Sequence, residues 1–94
     1  MADNIEHPGL LLLRMLEERG ISKRELAFKI GEYPQLLGDI TLCKRKMNPS
    51  LSIRIGKALQ IDEDMLMIQQ TKYDLAQERL KQRNVLVQIK GRGR

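Results

Sequence analysis

The stretch Ser22-Lys-Arg-Glu25-Leu26-Ala27-Phe-Lys-Ile30-Gly31-Glu32-Tyr33-Pro34-Gln35-Leu36-Leu37-Gly38-Asp39-Ile40-Thr-Leu42 decides how this chain folds. Ser22 stands three residues before Glu25, a capping box in which the hydroxyl accepts from a free backbone N–H and the carboxylate reaches back. Leu26, Ala27 and Ile30 fall on one helical face. Gly31 stops that helix, because glycine takes the left-handed position after a helix at little cost. Pro34 suits the first position of a second helix, where no N–H is needed. Leu36, Leu37 and Ile40 carry this helix from about Pro34 to Leu42, and Gly38 in its middle costs about 1 kcal/mol of helix propensity. Two short helices joined by a tight turn prop the second away from the body, the geometry with which a helix enters a duplex groove.

Working outward, residues 1–6 read as a short disordered lead. Pro8 begins a helix through Leu10-Leu-Leu-Leu13-Arg-Met-Leu16 that ends at Gly20, with Leu12 and Leu16, flanked by Leu11 and Met15, as its buried stripe. After Lys44-Arg45-Lys46, Asn48-Pro49 caps and starts a fourth helix whose buried side is Leu51, Ile55, Ala58 and Leu59. Asp62 is placed to cap a fifth, and Met65, Leu66, Ile68, Tyr73, Leu75, Ala76 and Leu80 continue it. Val85-Leu-Val87-Gln-Ile89 alternates like a strand, and Gly91 and Gly93 loosen the end of the chain, so residues 84–94 read as a short C-terminal strand or a flexible basic tail. The expectation is an all-α domain over residues 7–83 with a longer last helix.

Composition agrees with this and excludes other classes. The 94 residues suit one domain, and with 41% hydrophobic but only 3% aromatic residues the core must be built from Leu, Ile and Met, as packed helices allow. A single cysteine, Cys43, rules out an internal disulfide, and a single histidine, His7, leaves little for a metal or acid–base site. His7 reads as structural, near the start of the first helix, and Cys43 as a small hydrophobe at a helix end. No nucleophile–base pair, metal-ligand spacing or phosphate loop is present, so neither an enzyme nor a cofactor is expected. No run of about 18 apolar residues exists and the first residues carry no signal-peptide pattern, which makes a cytoplasmic protein without a membrane segment the expectation. Charge is uneven: residues 1–43 hold five basic and seven acidic residues, and residues 44–94 hold twelve and five, for a net +5 overall. That balance fits a nucleic-acid partner.

Several short motifs occur together. His7-Pro8-Gly9, Gly20-Ile-Ser-Lys-Arg-Glu-Leu-Ala27, Ile30-Gly31, Lys44-Arg45, Asn48-Pro49 and Ile55-Gly-Lys-Ala-Leu59 resemble the XRE-type helix-turn-helix. With Tyr73-Asp74 after the fifth helix, they resemble more narrowly the HigA-type antitoxins, the plasmid-maintenance antidote proteins of toxin–antitoxin modules. The likeness covers about residues 7–80. It implies a five-helix, lambda-repressor-like domain that dimerises, binds an operator in its own promoter and pairs with a ribosome-dependent mRNA-cleaving toxin.

Carried over by position, the recognition helix is Pro34 to Thr41, with Pro34, Gln35, Gly38 and Asp39 on its outward side. The Gln35 amide, which donates and accepts in one plane, suits adenine. Ser22 at its helix N-terminus and Lys23, Lys44, Arg45 and Lys46 suit phosphates. The chain departs from the family where Glu32 and Tyr33 occupy the turn, where Leu36 and Gly38 replace hydroxyl residues, and where Leu42-Cys43 replaces Asn-Gly. These changes strip hydrogen-bonding groups from the reading surface and add a negative charge near it. Leu10 and Leu13, three apart on one flank of the first helix, widen the core or form an apolar patch for a partner. Val85, Val87 and Ile89 offer a strand edge to a second copy or a toxin, or form a loose end. The reading is therefore an operator-binding antitoxin and autorepressor acting as a homodimer. The alternatives are a general or phage-like regulator without a toxin, and a protein-interaction adaptor that has lost DNA binding.

Overall fold

The computed structural model describes the backbone of residues 5–92 and the side chains of residues 5–85. Five helices follow one another: α1 (Pro8–Arg19), α2 (Lys23–Ile30), α3 (Pro34–Thr41), α4 (Pro49–Leu59) and α5 (Met65–Arg92). Their starts are set by local chemistry. Proline occupies the first turn of α1, α3 and α4. Ser22 Oγ accepts from Glu25 N at 3.0 Å and Asn48 Oδ1 from Leu51 N at 2.8 Å, each satisfying an amide that the helix leaves unpaired. Asp62 Oδ1 accepts from Asp64 N at 2.9 Å and turns the chain into α5.

Each helix turns a Leu- and Ile-rich face to a common centre. Leu12 and Leu16 of α1, Leu26 of α2, Leu37 and Ile40 of α3, Leu51 and Ile55 of α4 and Leu66 of α5 are essentially closed to solvent. Met47, from the loop between α3 and α4, fills the gap beside them. Burying each such side chain contributes about 1.5–3 kcal/mol, which is what drives five short and individually marginal helices together.

α5 runs through the expected residues, with Leu66, Gln70 and Ala76 buried and Ile68, Leu75 and Leu80 exposed. Its inward stripe contains a polar residue, Gln70, whose hydrogen bonds are satisfied inside. One expectation is corrected: there is no C-terminal strand among the described residues, because residues 84–92 continue α5. An isolated strand has nothing to pair with, and among the described residues there is no other strand. A continuing helix satisfies its own backbone. The side chains of Val87 and Ile89 lie outside the described residues, as do residues 1–4 of the expected lead and residues 93–94 of the tail. Glu6, at the end of that lead, is fastened: its carbonyl accepts from Gln69 Nε2 at 2.7 Å. Beyond Ala76 every side chain through Val85 is exposed. The end of α5 therefore stands out from the body, and the longest dimension reaches 58 Å.

Candidate nucleic-acid interface

The unit formed by α2, its turn and α3 is built from the capping and packing just described. Gly31 ends α2 at φ 73°, a left-handed conformation in which a side chain would be strained. Glu32 N donates back to Ala27 O at 2.9 Å and closes the turn. Arg54 of α4 braces this corner. Its Nη1 donates to Ile30 O at 2.7 Å and its Nη2 to Glu32 Oε2 at 3.0 Å. The negative charge that Glu32 brings to the turn is thus paired rather than presented to solvent, and Arg54 is a residue that sequence reasoning missed. The two partners are 22 residues apart, and no local pattern connects them.

Helix α3 presents two different faces. Leu37, Ile40 and Thr41 are buried, and the Thr41 hydroxyl donates to Leu37 O at 3.0 Å. Pro34 and Gln35 are exposed, and Gly38 and Asp39 are half-buried beside them. Gln35 Nε2 donates to Asp39 Oδ1 at 3.0 Å, one turn along the same helix. Tyr33, at the head of α3, and Phe28, on α2, are 82% and 88% exposed, so two of the chain's three aromatic side chains serve no core.

The seat of α3 explains the His-Pro-Gly opening. His7 Nδ1 accepts from Gly9 N at 2.8 Å and caps α1, and its ring meets Tyr73 edge-on at 5.0 Å. Burial pushes the His7 pKa below its ordinary value, with the negative Asp74 opposing. Gly9 lies so close to α3 that a Cβ there would overlap the carbonyl oxygen of Ile40. Only glycine permits this contact of α1 with the backbone of α3. At its far end α3 closes with Lys44 N donating to Asp39 O at 2.9 Å, and Cys43 is left-handed at φ 63°.

The loop after α3 carries the cations. Lys44, Arg45 and Lys46 are exposed, and Ser22 and Lys23 are exposed at the start of α2. Lys46 Nζ lies 3.2 Å from Asp74 Oδ2. Asp74 also accepts from Gln70 Nε2 at 3.0 Å, and Gln70 Oε1 accepts from Met47 N at 2.7 Å. The Tyr73-Asp74 pair therefore anchors the cation loop and the His7 cap to α5. Among the described residues, Lys23, Lys44 and Arg45 form no ion pair. Elsewhere, Leu10 is exposed and Leu13 half-buried on α1, and Val85 is exposed on the projecting part of α5. Among the described residues no cluster of His, Cys, Asp and Glu could hold a metal ion, and no helix is long and apolar enough to cross a membrane.

No protein-family model and no curated protein sequence matches the chain. Solved structures do. The chain is similar to PA4674 of Pseudomonas aeruginosa, seen in complex with its 28-bp operator DNA, at 28% identity and a TM-score of 0.76, over 80% of this chain and 84% of that one. It is similar to the Pseudomonas aeruginosa antitoxin HigA, seen with the higBA promoter, at 25% identity and a TM-score of 0.80, over 88% and 91%. A candidate antidote protein of a plasmid maintenance system from Nostoc punctiforme shares the fold at 24% identity and a TM-score of 0.83, over 89% and 92%. By fold the chain is a helix-turn-helix protein, and it is similar to antitoxins and operator-binding proteins of that fold.

Proposed function

We propose that this protein is a DNA-binding antitoxin that represses its own promoter. The observation that carries the reading is the division of α3, whose apolar side is locked into the core while Pro34 and Gln35 stand exposed at its start and Lys44 and Arg45 in the loop after it. A helix held in that way is rigid before it meets a duplex, so little ordering entropy is lost on binding. Lys23, Lys44 and Arg45 contact phosphates and set the register, and the outward side of α3 meets the base edges. Operator DNA bound to structural neighbours of the same fold supports this assignment.

The protein works as a homodimer in the cytoplasm, with two recognition helices about 34 Å apart on a two-fold-related operator. Its second partner is the toxin of the module. Co-expression with the neighbouring open reading frames, followed by copurification and a gel shift on the upstream DNA, tests the assignment. A toxic neighbour should copurify and the complex should shift the promoter. Promoter binding without any such neighbour would leave a regulator without a toxin, and a partner without promoter binding would leave an adaptor.

A further inference from the structure

The hydrogen bond within α3 restricts what that helix can read. Gln35 Nε2 donates to Asp39 Oδ1 at 3.0 Å, and this fixes which way the amide faces: a carboxylate only accepts, so the flipped amide would set oxygen against oxygen. One N–H is spent on Asp39. What Gln35 has left to offer is its carbonyl oxygen and one N–H. Beside it Asp39 adds carboxylate oxygens, acceptors again. The outward surface of α3 is therefore rich in acceptors. Neither Pro34 nor Gly38 adds a donor there, since proline has no N–H and glycine no side chain.

Base pairs differ in what they show to such a surface. Adenine pairs an N6 amine donor with an N7 acceptor, which matches the remaining oxygen and N–H of Gln35 together. Cytosine shows an N4 amine donor to a carboxylate. Guanine shows two acceptors, O6 and N7, and confronts the oxygens of Gln35 and Asp39 with repulsion. Asp39 thus acts as a positioning residue for Gln35 and as a residue that excludes guanine.

We infer that Asp39 sets the base preference of this protein by orienting Gln35, so that α3 selects base pairs that turn an exocyclic amine into the major groove, adenine under Gln35 first among them. This rests on the DNA-binding reading above and deepens it.

Selection from a randomised duplex library, run with the wild type and with Gln35→Ala, Asp39→Ala and Asp39→Asn, tests it. The wild type should enrich adenine at one position of each half-site and deplete guanine there. Asp39→Ala should lose that preference by about tenfold while still binding duplex, as Gln35→Ala does. Asp39→Asn, whose amide donates as well as accepts and so lets the Gln35 amide flip, should relax the preference and admit guanine. Replacing the selected adenine by purine, which lacks the N6 amine, should weaken the wild type about tenfold and leave Asp39→Ala almost unaffected. An undiminished adenine preference in Asp39→Ala overturns the inference and leaves the DNA-binding function standing, as does enrichment of guanine by the wild type. Failure of the wild type to bind any duplex overturns the function itself, and the inference with it.

Discussion

At Cys43 the chain takes a left-handed turn, φ 63°, with a residue that has a Cβ. That conformation costs an L-residue about 1–2 kcal/mol, and the hydrogen bonds that close α3 hold the residue in it. Cys43→Gly should therefore raise stability by about 0.5–1 kcal/mol in chemical denaturation, since glycine removes the strain but also loosens the unfolded chain. Gly9 is the opposite case. A methyl group there meets backbone, not a side chain that could swing aside, so Gly9→Ala should cost about 2–3 kcal/mol by the same measurement. His7 adds a pH dependence. Its folded pKa lies below the ordinary 6.5, so the unfolded chain takes up a proton first as the pH falls. Stability is complete above 6.5 and declines from there down to the folded pKa. Thermal unfolding between about pH 7.5 and 5 should show that decline in the wild type and a flatter profile in His7→Asn, which keeps a capping side chain but does not titrate. The capping role of His7 agrees with the structural reading of that residue in the sequence, because a cap is local. The reason for Gly9 was not legible, since its neighbour Ile40 lies on another helix.

Among the elements, the helix starts and stops were readable because Ser22, Gly31, Pro34, Asn48 and Pro49 act on their own few residues. The ties between elements were not. Arg54 to the α2–α3 turn, and Gln70 to Met47, link residues 24 and 23 positions apart and leave no periodic trace. Arg54→Met should cost about 1–2 kcal/mol in denaturation and should also weaken DNA binding, because it frees Glu32 beside the interface. The C-terminal segment misled for a different reason. Val85, Val87 and Ile89 alternate as strand residues do, but no breaker separates them from α5, and the helix runs on. The described part of this extension buries nothing beyond Ala76. Deleting residues 84–94 should accordingly leave the unfolding temperature of the body within a few degrees. The same deletion reports on assembly: a dimer that becomes a monomer in light scattering assigns the projecting helix to self-association, and an unchanged mass places that role elsewhere.

For the molecule as a whole, the candidate site was half legible. Gln35, Lys44 and Arg45 were named from the motif, and they are exposed next to the buried face of α3. What the residues alone did not show was that Asp39 holds Gln35, that Asp74 holds Lys46, and that the charge of Glu32 is paired. These are consequences of the fold, and they separate Lys46, which is paired with Asp74, from the cations that form no ion pair among the described residues. In the proposed function, the α3 surface binds duplex DNA with Lys44 and Arg45 on the phosphates. Fluorescence anisotropy on a labelled duplex from the chain's own upstream region, titrated across a series of salt concentrations, tests it most directly. Affinity should fall linearly on a log–log plot, and Lys44→Ala and Arg45→Ala should each weaken binding and lower the slope by about 0.9. Binding that ignores salt, or that is untouched by both substitutions, would contradict it.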